Sequence, residues 1–261
     1  MGNIDRTTIR RKEFKKGSIE EKIEGYCINM ACTHTDGILK EYGELPESRG
    51  GKYINSDLMK MIFPFYAKKI ENRRLYNTAI TNSAAVLTNE AYIRAMQSPD
   101  IHRCIYVTGP YGAGKSYFVQ ALFEGDKEGI LENSVVYEGS ITPPAFEEKI
   151  EYALQHGVTP YIIALNPTFE LSMRNIKERA RKVGRDVEKG EVLDKFCNFY
   201  IYMKAIIERF ESITFTIYNK KSNEAKDIDY STNIEDLYHG TIQEVEMEYE
   251  RIVRMLEDEA R

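Results

Sequence analysis

The chain has 261 residues and carries 36 lysines and arginines against 41 aspartates and glutamates, a formal charge of −5. That balance gives no general affinity for nucleic acid, which needs a basic excess against phosphate, so no nucleic-acid partner is expected. No apolar run approaches the ~20 residues that span a bilayer. The charged start (MGNIDRTTIRRKEFKK) has no apolar core behind it, so a cytoplasmic protein without a membrane segment is expected.

Residues 20–45 carry a weak helical pattern (Ile19, Ile23, Tyr26, then Ile38, Leu39, Tyr42), and 1–45 reads as an N-terminal helical extension. Residues 46–51 (PESRGG) form a loop. A short strand over 52–55 ends at Ser56-Asp57, and 58–71 and 75–97 recur near the helical period. The apolar run 104–107 leads into a glycine-rich turn over 109–116 and a helix over 117–123. A second buried strand covers 134–137. Thr142 then reads as the N-cap of a helix with Pro143 and Pro144 in its first turn, and Gly157 as its stop.

A third strand covers 160–165, followed by a charged helix over 168–182 and another helix over 192–210. Residues 213–218 read as the last strand, and 241–259 as an acidic amphipathic helix. Nearly continuous apolar strands alternating with helices predict an α/β fold: three layers, with a mainly parallel sheet flanked by helices. The main domain spans 46–240, and 241–261 packs on it. Cys27, Cys32, Cys104 and Cys197 have neither redox nor zinc spacing and read as reduced thiols, and the four histidines show no metal pattern.

The chemistry is concentrated in Gly109-Pro110-Tyr111-Gly112-Ala113-Gly114-Lys115-Ser116, which fits G-x-x-x-x-G-K-[ST], the Walker A phosphate-binding loop. Its glycines let successive N–H groups turn inward onto an anion, and the helix that follows, from Tyr117, presents its positive end. Lys115 reaches the β- and γ-phosphates, and Ser116 ligates Mg²⁺. A nucleoside triphosphate with Mg²⁺ is therefore expected, and the loop alone does not choose between kinase, ATPase and GTPase. No hhhhDE strand marks an ATPase and no N-K-x-D motif reads guanine. Arg174, Arg179, Arg181 and Arg185 can form a lid over a transferring phosphoryl group, or pair along a solvated helix.

The stretch VVYEGSITPPAFEEKIEYALQHGVTPYIIALNPTFELSMRNIKER, from Val135 on toward Arg185, resembles the zeta-toxin family of P-loop kinases, as does ITFTIYN at 213–219. Together with the Walker loop, the resemblance covers about half the chain. It implies a P-loop kinase fold, ATP as phosphoryl donor, UDP-N-acetylglucosamine or another small-molecule hydroxyl acceptor, and an antitoxin protein as a partner. Glu138 matches the family's substrate-holding glutamate, with Ser140 beside it, and Arg179 and Arg185 match its lid arginines.

One departure stands out. The family's catalytic aspartate follows the Walker helix, yet only 23 residues separate Lys115 from Glu138. KYINSDLMKMIFPFY (52–66) resembles the missing segment, and AAVLTNEAYIRAM (84–96) the helix after it. The expectation is a rearranged strand order that brings Asp57, Lys115 and Glu138 together at the carboxyl edge of the sheet. Asp57 is then the general base, favoured over Glu138 as the rival base, and an aspartate at a strand-to-helix junction is also commonly an N-cap. Asn166 is a candidate neighbour of the adenine, and Arg73 and Arg74 of an acceptor diphosphate. A non-catalytic ATP-binding module working through 1–45 and 241–261 remains the alternative from another class.

Overall fold

The computed structural model describes residues 4–183, 187–224 and 227–259. Helices α1 (Ile19–Thr33) and α2 (Thr35–Glu44) lead to the edge strand β1 (Tyr53–Asn55) and the single-turn helix α3 (Ser56–Met59). The helix expected over 58–71 is broken. Phe63 is extended because a residue before proline is pushed out of the helical region, and Pro64 opens the separate turn α4 (Pro64–Ala67). The long helix α5 (Ile70–Met96) follows, starting five residues earlier than its pattern suggested.

Strand β2 (Arg103–Thr108) runs into the glycine-rich loop and α6 (Lys115–Gly125). Then come β3 (Ser134–Glu138), α7 (Ala145–Gln155), β4 (Thr159–Pro167), α8 (Phe169–Val183), α9 (Lys189–Arg209) and β5 (Thr214–Lys220). Thr142 does not cap α7: the helix starts at Ala145 after a cis Pro143–Pro144 bond, with Pro144 at the cap position. A further strand, β6 (Ile228–Ser231), pairs antiparallel with β5, so 213–218 does not hold the last strand. Its alternation is too short and polar to stand out. Helix α10 (Ile242–Asp258) closes the chain behind a reciprocal cap between Thr241 and Glu244.

The six strands lie in the order β1-β3-β2-β4-β5-β6, all parallel except β6. Alternate residues of each strand supply opposite faces. Cys104, Tyr106, Val135, Ile162 and Ile217 pack against α5, α7 and α9, while Ile105, Val107, Val136, Ile163 and Leu165 pack against Val119 of α6. Helices thus flank the sheet on both faces. The first strand in sequence sits at the sheet edge beside the third, so its carboxyl end joins the edge where β2 and β3 end.

The N-terminal helices are built into this arrangement. Ile9, Cys27, Ile28 and Ile38 share a core with Met59, Phe63, Ile80 and Leu87. Buried Tyr42 of α2 donates its hydroxyl to Tyr53 O (2.7 Å) and accepts from Asn55 N (3.0 Å), covering the free edge of β1. At the other end, α10 buries Val245 and Ile252 against α8 and α9. All four cysteines are free. Among the described residues, no helix is long and apolar enough to cross a membrane.

Candidate active site

The site forms where the register aligns three strand ends. Asn55 pairs with Glu138, and Glu138 with Val107, in adjacent parallel strands. At the carboxyl end of β1, the Asn55 side chain accepts the N–H of Leu58 (2.8 Å) and caps α3. Asp57 is therefore not the cap, and its carboxylate is left to other work. Asp57 is half-buried, and Lys60, only 2% exposed, places its ammonium 3.2 Å from Asp57 Oδ1 and 2.9 Å from Asn77 Oδ1.

The glycine-rich loop leaves β2 through Gly109. Gly112 and Gly114 hold φ of 75° and 80°, the left-handed region open to glycine. At Gly112 there is no room for a Cβ either, since it would strike the carbonyl of Ser172. Helix α8 clamps the loop from above: Ser172 donates its hydroxyl to Tyr111 O, and Asn175 donates to Gly112 O at 2.8 Å. From below, Lys220 at the end of β5 is buried and donates to Ala113 O at 3.2 Å. Burial lowers its pKa from the usual lysine value. Lys115 begins α6 and lies along the loop, donating to Gly109 O (2.9 Å) and Pro110 O (3.0 Å).

Glu138 at the end of β3 faces Ser116, whose hydroxyl donates to Glu138 Oε1 at 3.0 Å; the Tyr53 hydroxyl donates to Oε2. Burial raises the Glu138 carboxyl above its ordinary value. Lys115 and the two hydroxyl donors oppose that rise, and the charge of Asp57 adds to it. Both oxygens of Glu138 are engaged, Oε1 by Ser116 and Oε2 by Tyr53, so it anchors the Ser116 hydroxyl. The oxygen donors Ser116 and Glu138 suit a hard cation such as Mg²⁺. Among the described residues, no cluster of three His, Cys, Asp or Glu side chains is placed to hold a metal by itself.

Asp57, Lys115, Ser116, Glu138, Ser140 and Arg179 line one cleft of about 400 Å³, together with the turn from Tyr111 to Tyr117. The structure thus gathers side chains from α3, α6, β3 and α8. Arg185 lies outside the described residues. Arg174 is turned away, bonded to Glu170 (3.1 Å) and in a fork to Glu259 (2.8 and 2.9 Å) on the C-terminal helix. Arg181 is exposed and lines no cleft described here. Asn166 is occupied with Asn219 Oδ1 (2.6 Å) and Asp236 O (2.9 Å), and Arg73 and Arg74 line neither this cleft nor the one beside it.

The sequence reading passed over Lys60, Asn175, Ser172, Lys220 and Tyr53. Lys60 had a usable signal, standing three residues after Asp57 on one helical face. Lys220 had another: a lysine closing an apolar strand. No protein-family model matches the chain, and no curated protein matches it.

Proposed function

We propose that this protein is an ATP-dependent phosphotransferase acting on a hydroxyl of a small molecule, on a P-loop kinase fold whose acid-bearing strand precedes the loop strand in sequence. The observation that carries this reading is the single cleft bordered by Asp57, Lys115, Glu138 and Arg179. A phosphate-cradling turn alone supports nucleotide binding. A half-exposed carboxylate across from it supports transfer to an acceptor.

The triphosphate lies along the turn 109–116, its charge met by inward N–H groups, the start of α6 and Lys115. Lys115 then exchanges its two carbonyl partners for phosphate oxygens. Ser116, held by Glu138, is the protein's ligand for Mg²⁺, which neutralises charge on the phosphates when bound. Glu138 is on this reading the residue that orients Ser116, rather than a holder of substrate. Asp57 accepts the acceptor's hydroxyl proton as the oxygen–phosphorus bond forms. The bond from the γ-phosphorus to the bridging oxygen breaks, and its electron pair leaves with ADP. Arg179, near Tyr111 and Gly112, meets charge on the transferring group.

The resemblance to zeta toxins makes UDP-N-acetylglucosamine the first acceptor to test. The decisive experiment incubates the chain with ATP, Mg²⁺ and a panel of nucleotide sugars, NAD and nucleosides, and follows ADP and product mass. Acceptor-dependent ADP release with a product 80 Da heavier supports the reading (about the mass of an added PO₃H group). Saturable ATP binding with no transfer to any acceptor would favour a nucleotide-binding module instead.

A further inference from the structure

A second cleft of about 550 Å³ adjoins the first and shares Asn55, Asp57 and Ser116 with it. It lies between the β1–α3 segment and the outer flank of α6. Its volume falls in the range of small-molecule sites, roughly 300–1,000 Å³. The walls are mainly apolar: Leu58 and Met61 on one side, Val119 and Phe123 on the other, with Gln120 at the α6 rim. Nothing in the handling of the triphosphate uses these residues.

The opposite rim is a strained, well-tied turn. Arg49 has φ of 55°, rare for a residue with a side chain, and Gly50 and Gly51 follow at 71° and 84°. Buried Ser48 fixes the turn, donating to Leu45 O at 2.8 Å and accepting from Gly51 N at 3.2 Å. The result sets the Arg49 guanidinium 5.7 Å from the centre of the Phe123 ring, at the cleft mouth. A glycine at 49 would make this turn without strain, so arginine there is costly to the backbone and serves something else.

We propose that this second cleft is the acceptor subsite. It seats a planar, largely apolar ring between Phe123, Val119 and Met61, with the attached hydroxyl reaching Asp57. Charge narrows the class further. The cleft is lined by one cation, Arg49, against two carboxylates, Glu47 and Asp57. Lys60 already pairs with Asp57 and Arg49 stands against Glu47, so the lining holds no excess of positive charge for a diphosphate, and the acceptor is a neutral or singly charged hydroxyl compound of nucleoside type. This inference rests on the phosphotransferase reading and moves the preferred acceptor away from nucleotide sugars.

The test uses uridine and adenosine as neutral probes and UDP-N-acetylglucosamine as the diphosphate probe, on the full chain labelled at methionine methyl groups. Saturable shifts of the Met61 methyl by a nucleoside, without ATP, are expected. Gln120→Trp, an exposed substitution that fills the cleft, should weaken that binding at least tenfold and leave ATP affinity unchanged. Arg49→Gly relieves the strained turn, so its Tm should hold or rise while nucleoside binding weakens. That combination a purely structural role would not give. Nucleosides that leave Met61 unmoved would overturn the proposal. So would acceptor binding indifferent to both substitutions, or UDP-N-acetylglucosamine as the sole binder; in each case acceptor-dependent ADP release would still stand. Failure of the ATP reading shows separately, as absent nucleotide binding.

Discussion

Asp57→Asn tests the proposed mechanism most directly. The substitution keeps side-chain volume and removes only the charge and the proton-accepting oxygen. Loss of a general base costs about 10²–10⁴ in rate, or about 2.7–5.4 kcal/mol at 1.36 kcal/mol per decade. The competing explanation is loss of stability, because Lys60 is buried 3.2 Å from Asp57. The Asp57 side chain is 46% exposed, so solvent screens the pair, and Lys60 keeps Asn77 Oδ1 at 2.9 Å. Breaking it should cost about 1–2 kcal/mol, below the ~3–5 kcal/mol of a fully buried pair. Against a typical stability of ~5–15 kcal/mol, the variant stays folded at 25 °C. We expect kcat for acceptor-dependent ADP release to fall at least a hundredfold, with ATP affinity within about threefold of wild type and Tm lower by roughly 2–8 °C. A variant that keeps a third of wild-type turnover would refute the assignment of Asp57 as base.

Three further outcomes follow from the same geometry. The Glu138 carboxyl is raised from its ordinary value near 4.5, so the folded chain holds this proton longer than the unfolded one and stability falls as pH rises through that window. Glu138→Gln removes the dependence: thermal melts without nucleotide should show the variant's deficit against wild type shrinking as pH climbs above about 4.5, and a constant deficit would contradict the burial argument. Gly112→Ala forces a Cβ at φ 75° against the Ser172 carbonyl, so calorimetric ATP affinity should drop at least tenfold, about 1.4 kcal/mol. Thr241→Ala removes the cap of α10 and should cost about 1 kcal/mol, a Tm decrease of about 2–4 °C, with ATP binding unaltered.

The layers of the sheet were legible because buried parallel strands write themselves as unbroken apolar runs such as CIYV and YIIAL. Strand β6 was not, because an edge strand with one partner needs little apolar content, and IDYS reads as loop. The break at Pro64 was visible as a proline yet masked by apolar spacing on both sides of it. In the site, the loop was legible because each position answers a backbone need. The supports under it were not: Lys220 lies 107 residues from Ala113, and Tyr53 85 residues from Glu138, and no local pattern encodes such meetings. Glu138 shows a subtler limit. VVYE ends a strand in an acid, but only the register opposite Val107 reveals that this acid faces Ser116.

Register, not connectivity, sets the dimensions of the site. Adjacent strands lie about 4.8 Å apart, so the paired ends Asn55, Glu138 and Val107 span about 10 Å whichever strand comes first. Connections contribute only loop-closure entropy, which rises by about 0.6 kcal/mol for each doubling of loop length. What the place of β1 does demand is protection, since it lies at the edge of the sheet. The N-terminal helices meet that demand: Tyr42 bonds the free edge of the β1 backbone, at Tyr53 O and Asn55 N, two residues before Asp57. The segment with no counterpart in the zeta-toxin resemblance is thereby the one that fixes where the candidate base stands.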